Sequence, residues 1–231
     1  MGSNIFKICN FETQNTILGK YNYNNKEKIV CACEDFTTEE NKLYEFENLA
    51  LSTNPEKKIE TDINDILEAL NEATKLIDVE EIKNKFWDMF IRDSLIGNID
   101  RDNGNWGFVL NKKYNNIKFS PIYDCGSCLN PMLEDKELEE ISKNELKNLA
   151  INCYSCLKEN RKRINYMTYL REMKNIDCNR ALVRIFNNIK IEEINKFIDA
   201  IDCMSNARKT FYKEIINIRY GILKEVYNNL K

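Results

Sequence analysis

Helix-breaking residues are scarce in this sequence, and that scarcity most constrains its fold. The 231 residues include only three prolines and seven glycines. Because proline and glycine are the strongest local interruptions of regular structure, long helices are predicted. At this length the chain suits one large domain or two small ones, with enough residues to bury a core. We therefore expect a mainly helical protein.

Two short β elements interrupt the predicted helices. Thr16 to Tyr21 and Lys28 to Cys33 are rich in β-branched and apolar residues, and they are predicted to pair as a hairpin around residues 22–26. Phe108–Leu110 and Ile117–Phe119 flank a polar segment and predict a second hairpin. The predicted class is therefore α+β, mainly α.

Apolar residues recur at helical spacing through most of the remaining chain. The first of these helices is expected to start at Thr37, with Leu43, Phe46 and Leu49 on one face. Further helices are predicted over Asp62–Leu76, Val79–Ile96, Ser142–Leu157, Tyr166–Met173, Asn179–Asn187, Ile191–Ile201 and Asn206–Leu230.

The chain contains no histidine, which excludes several classes of catalyst. Ser-His-Asp and Cys-His catalysis, His-ligated zinc and histidine phosphotransfer are all ruled out. The net charge is −3, so no overall basic excess predicts binding to nucleic acid or to an anionic membrane. No apolar run reaches the ~18 residues that cross a bilayer, and no signal peptide is recognisable. A cytoplasmic location is the resulting expectation.

The residues that carry chemistry lie in two acidic loops. Asp100 and Asn105 stand five residues apart between a predicted helix and a predicted hairpin, and Asp124 follows that hairpin as part of Asp-Cys-Gly. Phosphoryl transfer from ATP needs one carboxylate to orient and deprotonate the acceptor hydroxyl. It also needs an amide oxygen and a second carboxylate to hold Mg²⁺. Protein kinases carry these groups as Asp-x4-Asn and then Asp-x-Gly, the order found here.

The two loops resemble the signatures of the HipA-like serine/threonine protein kinases. Residues 98–105 are similar to the family's Asn-x-Asp-Arg-His-x-x-Asn, and residues 123–127 to its Tyr-Asp-x-Gly-Ser metal site. The resemblance implies that Asp100 is the catalytic base and that Asn105 and Asp124 are Mg²⁺ ligands. It also implies transfer of the ATP γ-phosphate to a serine or threonine hydroxyl of a protein substrate.

The same resemblance assigns three further residues. Arg101 matches the family arginine and joins Asp100 in the implied catalytic set. Glu34 and Phe36 follow the first predicted hairpin and are similar to the hinge segment whose backbone contacts adenine. The implied fold is protein-kinase-like, with a small β remnant of the N-lobe and the hinge at residues 1–36. A helical C-lobe follows at residues 37–231 and carries the catalytic loop (97–107) and the metal loop (123–127).

The sequence departs from the family pattern in two places. Asp102 stands where the family has histidine, and it is expected to pair with Arg101 or to join the metal site. Ahead of Glu34 there is no glycine-rich phosphate loop, and no lysine stands in the expected strand context. We therefore expect these residues alone to be an incomplete or inactive kinase, with the N-lobe on a separate polypeptide, or a non-catalytic binding subunit. Because relatives act in toxin–antitoxin systems, an antitoxin is a further candidate partner.

Nine cysteines leave one other interpretation open. Their odd number predicts reduced thiols and not a disulfide framework. Cys125-x2-Cys128 and Cys153-x2-Cys156 have the spacing of a four-thiolate zinc site, so a zinc-stabilised helical protein is an alternative. Against it, Cys125 already belongs to the acidic metal loop, and Cys153 and Cys156 fall at i, i+3 in a predicted helix, which favours core packing.

Four other side chains are predicted to serve packing. Trp87 and Trp106 are expected in the core, the second as a support for the loop that carries Asn105. Cys31 and Cys33 alternate along a predicted strand and are expected to be small apolar fillers on one side of it.

Overall fold

The computed structural model describes residues 1–48, 60–72, 78–114 and 116–231. Within them the fold is α+β and mainly helical, as predicted. The strands are β1 (Thr16–Tyr23), β2 (Lys26–Cys33), β3 (Asn41–Glu45), β4 (Gly107–Asn111), β5 (Asn116–Phe119), β6 (Tyr154–Glu159) and β7 (Lys162–Asn165). The helices are α1 (Gly2–Ile8), α2 (Ile63–Glu72), α3 (Val79–Ile96), α4 (Asp135–Glu140), α5 (Lys143–Ile151), α6 (Tyr166–Glu172), α7 (Ile176–Ile185), α8 (Ile191–Asp199) and α9 (Asn206–Leu230), with a 3₁₀ turn at Phe186–Asn188.

The first hairpin forms where the sequence predicts it. β1 and β2 pair antiparallel, with Thr16 opposite Cys33. The two residues between the strands, Asn24 and Asn25, have φ angles of 50° and 57°. Two consecutive positive φ angles give the tight turn that matches the twist of a hairpin, and asparagine tolerates them better than most residues. Both strands are exposed along nearly their whole length.

The helix predicted to start at Thr37 does not start there, and within the described residues of that run only 46–48 are helical. Asn41–Glu45 is instead strand β3, which pairs antiparallel with β4 in a three-stranded sheet of order β3-β4-β5. Asn111 donates a side-chain hydrogen bond of 2.8 Å to Asn41 at the end of this ladder. The predicted hairpin of β4 and β5 is confirmed. Leu49, assigned to the same helix, lies outside the described residues.

Helix α3 has the predicted bounds and organises the core. The Asp78 carboxylate accepts a hydrogen bond from the Glu81 N–H and caps the first turn. Gly97 ends the helix with φ 63°, the left-handed conformation that glycine adopts without strain. Trp87 on this helix and Trp106 beyond it are both buried, as predicted. The end of α3 is therefore a fixed point from which the next loop starts.

The helix predicted over Ser142–Leu157 is only partly correct. Helix α5 ends at Ile151, and the chain then forms the β6–β7 hairpin. Its turn residues Asn160 and Arg161 have φ angles of 52° and 65°. The Asp62 carboxylate accepts a hydrogen bond of 2.9 Å from the Arg161 N–H and stabilises that turn. This contact spans almost a hundred residues, so local periodicity could not reveal it.

The remaining predicted helices are confirmed with small shifts of their ends. Helix α9 has the predicted bounds, whereas α7 begins three residues earlier than predicted, at Ile176. The end predicted for α2 falls on residues 73–77, outside the described part. Helix α3 packs against α7 and α9, so the core lies between these helices. Among the described residues, no helix is both long and apolar enough to cross a membrane.

Candidate active site

The loop that carries Asp100 starts from a buried anchor. The Asn98 N–H donates to the Asp93 carbonyl at 3.0 Å, and the Asn98 side-chain amide donates to the Asp93 carboxylate at 3.0 Å. Tyr166 donates its hydroxyl proton to the Asn98 carbonyl at 2.8 Å. Asn98 and Asp93 are buried, but Asp100 is exposed. The loop is therefore held at its start and leaves Asp100 at the surface.

Arg101 lies inside the protein. Its Nε donates to Asp93 Oδ2 at 2.9 Å and its Nη2 to Asp93 Oδ1 at 3.2 Å, so the two side chains form a buried bidentate ion pair. Burial acts to lower the pKa of Arg101, but the charge of Asp93 and the neighbouring Cys125 outweigh burial and raise that pKa. The guanidinium therefore remains charged.

The Arg101 guanidinium also joins the two acidic loops. Its Nη1 donates to the carbonyls of Asn105 at 2.6 Å and Tyr123 at 2.7 Å. The Tyr123 hydroxyl in turn donates to the Gly104 carbonyl at 3.0 Å. These bonds fix the backbone of Asn105 and of the residue before Asp124. One buried cation thus determines how the two predicted metal ligands are placed relative to each other.

The two predicted Mg²⁺ ligands offer oxygen donors that fit the ion. The Asn105 Nδ2 donates to the Asp100 carbonyl at 2.8 Å, so the amide is oriented with Oδ1 as its available ligand atom. Asp124 is exposed and stands at φ 45°. No group of three or more His, Cys, Asp or Glu residues could hold a metal within the part of the chain that is described. One carboxylate and one amide suit Mg²⁺, which commonly keeps waters and binds substrate phosphates.

Asp102 shapes the catalytic loop. Its carboxylate accepts a hydrogen bond from the Gly104 N–H at 2.9 Å, and its carbonyl accepts one from the Asn105 N–H at 3.1 Å. The prediction that Asp102 pairs with Arg101 is wrong, because Asp93 occupies that guanidinium. Asp102 instead supports the turn that leads into Asn105.

Several carboxylates lie near the two loops. Burial raises the pKa of Tyr123, and the carboxylates of Glu45 and Asp102 raise it further despite the nearby Arg101. Burial likewise raises the pKa of Cys156 to about 12, with contributions from Asp102 and Asp100. A concentration of carboxylates disfavours further anions and favours a cation. The electrostatics therefore agree with a divalent metal at this site.

A cleft of about 310 Å³ lies between the β1–β2 hairpin and the second acidic loop, and its lining includes Gln14 and Asp124. The lining does not include Glu34 or Phe36 in the described structure. The Glu34 N–H donates to the Asn15 carbonyl at 2.9 Å, and its carbonyl accepts a bond from Gln14 Nε2 at 3.0 Å. The Glu34 carbonyl oxygen has a second lone pair, which is left to accept a hydrogen bond from an adenine amino group. The Phe36 ring lies 6.0 Å from the ring of Tyr123.

The cysteines with zinc spacing lie in or just after the second acidic loop and at the start of β6. Cys153 precedes β6 and Cys156 lies within it, so the prediction that they share a helix face is wrong. Cys125 accepts a hydrogen bond of 3.4 Å from Arg101. Burial raises the pKa of Cys128 to about 12. In the described residues these thiols do not form a metal site.

Asp93 is the residue of this site that the sequence analysis missed. It is buried on α3, three positions after Phe90 and seven after Phe86, on a stripe that is otherwise apolar. A carboxylate at such a position needs a partner because an unpaired buried charge is very costly. Arg101 in the following loop is the next cation after Asp93 in the chain, whereas Arg92 is its direct neighbour on the helix and faces away from it. A carboxylate on an apolar helix stripe, followed by an arginine in the next loop, was the signal available in the sequence.

No protein-family model matches the chain. The chain is 37% identical over 230 residues to the serine/threonine-protein kinase CtkA of Helicobacter pylori. The aligned region covers 96% of this chain and 69% of that protein. A crystal structure of this proinflammatory kinase matches with a TM-score of 0.92 and 35% identity, over 99% of this chain and 84% of its own. HipA of Shewanella oneidensis MR-1, solved with HipB and operator DNA, matches with a TM-score of 0.51 over 98% of this chain and 56% of its own. At 14% identity, that likeness shows the fold alone.

Proposed function

We infer the function from one premise: this chain belongs to the family of the serine/threonine-protein kinase CtkA and has a HipA-like kinase fold. We propose that its two acidic loops, with a completed N-lobe, transfer the ATP γ-phosphate to a protein hydroxyl. The bonds from Arg101 to the carbonyls of Asn105 and Tyr123 carry this proposal. They hold together the loops that bear Asp100, Asn105 and Asp124.

Asp100 is proposed as the catalytic base. Its carboxylate is exposed beside an anchored backbone, a position from which it can accept the proton of a substrate hydroxyl. Arg101 does not reach the surface and is proposed as a positioning residue, although the family resemblance places it in the catalytic set. Its contribution is to keep the two loops in register while Asp93 neutralises its charge.

Asn105 Oδ1 and the Asp124 carboxylate are proposed to hold Mg²⁺. The ion would supply charge neutralisation for the phosphates of bound ATP. The chain's own contribution is orientation: the bond from Asn105 Nδ2 to the Asp100 carbonyl couples the metal ligand to the loop of the base. Glu34 and Phe36 remain the proposed hinge contacts for adenine.

We further propose that residues 1–36 act as the remnant of an N-lobe and residues 37–231 as a C-lobe. Apolar side chains stand exposed along the β1–β2 hairpin, among them Ile17, Tyr21 and Ile29. Exposed apolar residues of this kind favour the proposal that a further β segment covers the hairpin and supplies the groups that bind the phosphates. A separate N-lobe chain or an antitoxin is the proposed partner, a protein is the substrate, and the cytoplasm is the proposed location.

A radiolabel transfer assay with Mg²⁺ and with Mn²⁺ tests this function. These 231 residues alone are expected to give little or no incorporation, because glycine-loop amides and a strand lysine normally grip the triphosphate. An N-lobe from a HipA-like kinase, fused ahead of Met1 or added in trans, should restore transfer. In the restored protein Asp100→Asn should lower the rate at least ~100-fold, the usual contribution of a positioned base.

Asp177→Asn is the matched control, because Asp177 is exposed on α7 and pairs only with the exposed Arg180 among its described contacts. It should leave the restored rate unchanged. Strong incorporation by the chain alone, abolished by Asp100→Asn, would show that the phosphate grip lies within these residues. Restored transfer that is indifferent to Asp100→Asn would remove the assignment of the base.

A further inference from the structure

Two cysteines on one strand line the cleft between the β1–β2 hairpin and the second acidic loop. Cys31 and Cys33 are two positions apart on β2, so their side chains project from the same face. Both are exposed free thiols, and both line the cleft together with Asp124. The prediction that they are apolar fillers is therefore wrong, because they border open space instead of filling a core.

The two thiols are neighbours on one face of the hairpin. Cys31 lies opposite Leu18 and Cys33 opposite Thr16 on β1, and all four residues line the cleft. Two exposed thiols two positions apart on one strand face suit a reagent that bonds both sulfurs at once.

We propose that Cys31 and Cys33 form a dithiol site for trivalent arsenicals at the mouth of the cleft. An arsenic(III) oxide bearing one organic group would condense with both thiols. Two S–H bonds and the arsenic–oxygen bond break, two arsenic–sulfur bonds form, and the oxygen leaves with both protons as water. Arsenic stays trivalent throughout, so the step needs no oxidant or reductant.

The other cysteines offer no equivalent pair on the described surface. Cys125 and Cys128 also line the cleft, but both side chains are buried. Cys203 is exposed in the turn before α9, but it does not line the cleft. Only the β2 pair combines exposure, proximity and a shared cleft.

Phenylarsine oxide and the folded 231-residue chain, kept reduced, provide the test. Native mass spectrometry should show one phenylarsenic group per chain with loss of one water. A dithiol such as 2,3-dimercaptopropanol should remove it, whereas 2-mercaptoethanol at the same thiol concentration should not. Cys31→Ser and Cys33→Ser should each weaken binding on the order of 100-fold, because each loses the effective concentration of the second sulfur.

Cys203→Ser is the matched control and should bind like the parent chain. Unfolding is not expected to obscure the comparison, since both target thiols are exposed, and a thermal melt of each variant verifies this. Tight binding that survives Cys31→Ser or Cys33→Ser overturns the proposal. Binding lost instead in a Cys125→Ser or Cys128→Ser chain that melts like the parent also overturns it.

Competition with nucleotide separates this proposal from the proposed function. With the N-lobe restored, MgADP should slow arsenical binding if nucleotide occupies the cleft beside Asp124. Loss of binding in both single variants without any protection by MgADP supports the dithiol site and counts against the placement of the nucleotide. Protection together with binding in both single variants supports the nucleotide site and overturns the dithiol site.

Discussion

The guanidinium of Arg219, from the middle of α9, packs directly against Gly97 at the start of the catalytic loop. A Cβ atom added at Gly97 would collide with that guanidinium. Arg219 is fully buried, and its Nε donates to the Ala150 carbonyl at 3.1 Å, near the end of α5. Arg219 therefore links α9 to the end of α5 directly beneath the loop that carries Asp100.

Gly97→Ala should destabilise the protein by at least ~2 kcal/mol. Alanine at φ 63° costs about 1–2 kcal/mol, and displacement of the buried Arg219 adds to that cost. Urea unfolding followed by circular dichroism measures the change. Gly221→Ala on α9 is the control, because nothing lies within 4 Å of its added Cβ. It should be neutral or stabilising by up to ~1 kcal/mol. Equal stability of Gly97→Ala and the parent would contradict the packing at Gly97.

The Asp93–Arg101 pair should show strong coupling in a double-mutant cycle. Asp93→Leu leaves the Arg101 cation buried without its partner, and Arg101→Met leaves the Asp93 carboxylate in the same state. Each single change should cost on the order of 3–5 kcal/mol. The double variant should cost less than the sum of the two by more than ~1 kcal/mol. Chemical denaturation of all four proteins gives the result, and additive costs would show that the ion pair is not coupled.

Metal binding should depend on both proposed ligands. Mn²⁺, which takes the same hard oxygen donors as Mg²⁺, can be titrated by electron paramagnetic resonance. Asp124→Asn and Asn105→Ala should each weaken Mn²⁺ affinity about tenfold or more, since each removes one charge-assisted contact. Asp177→Asn should bind like the parent. If Asp124→Asn and Asp177→Asn bind Mn²⁺ equally well, the ligand assignment fails.

Alkaline pH should destabilise the protein through its buried thiols. Burial raises the pKa of Cys9 from 9.0 to about 11 and that of Cys128 to about 12. Below pH 9 these thiols are protonated in both the folded and unfolded chains, so their contribution to the free energy of unfolding is fully present. As the pH rises from 9 towards 11, only the unfolded chain releases these protons, and the free energy of unfolding falls.

The Cys9→Ala variant isolates this effect. Its free energy of unfolding should fall less steeply than that of the parent, by up to about 1.4 kcal/mol per pH unit for one thiol. Ser94→Ala removes a buried group that does not titrate in this range, and its curve should run parallel to the parent's. Urea midpoints between pH 8 and 10.5 in reducing buffer provide the comparison. Identical slopes for Cys9→Ala and the parent would refute the predicted shift.

Elements whose determinants are close in sequence could be predicted. Helix α3 has an Asp78 cap, a stripe that is apolar except for Asp93, and a terminating Gly97, all readable within twenty residues of sequence. The β1–β2 hairpin carries its turn residues Asn24 and Asn25 between two β-rich runs. The order of Asp100, Asn105 and Asp124 could also be read directly, because a loop motif is local by nature.

Elements whose partners are distant could not be predicted. Strand β3 exists because β4 pairs with it, sixty or more residues later, and its own sequence also satisfied a helical pattern. Strand β6 depends on a turn at Arg161 that Asp62 stabilises. In both cases a long-range hydrogen bond overrode a local preference.

The candidate site likewise combines features that the sequence determines with features that depend on distant partners. By itself the sequence determined which side chains could act as base and metal ligands, since those roles follow from residue type and spacing. Only the tertiary structure decided that Arg101 pairs with Asp93 and not Asp102, and that its guanidinium bridges two loops. A buried charge takes the partner that the packing brings within hydrogen-bonding distance, and one sequence does not specify that proximity.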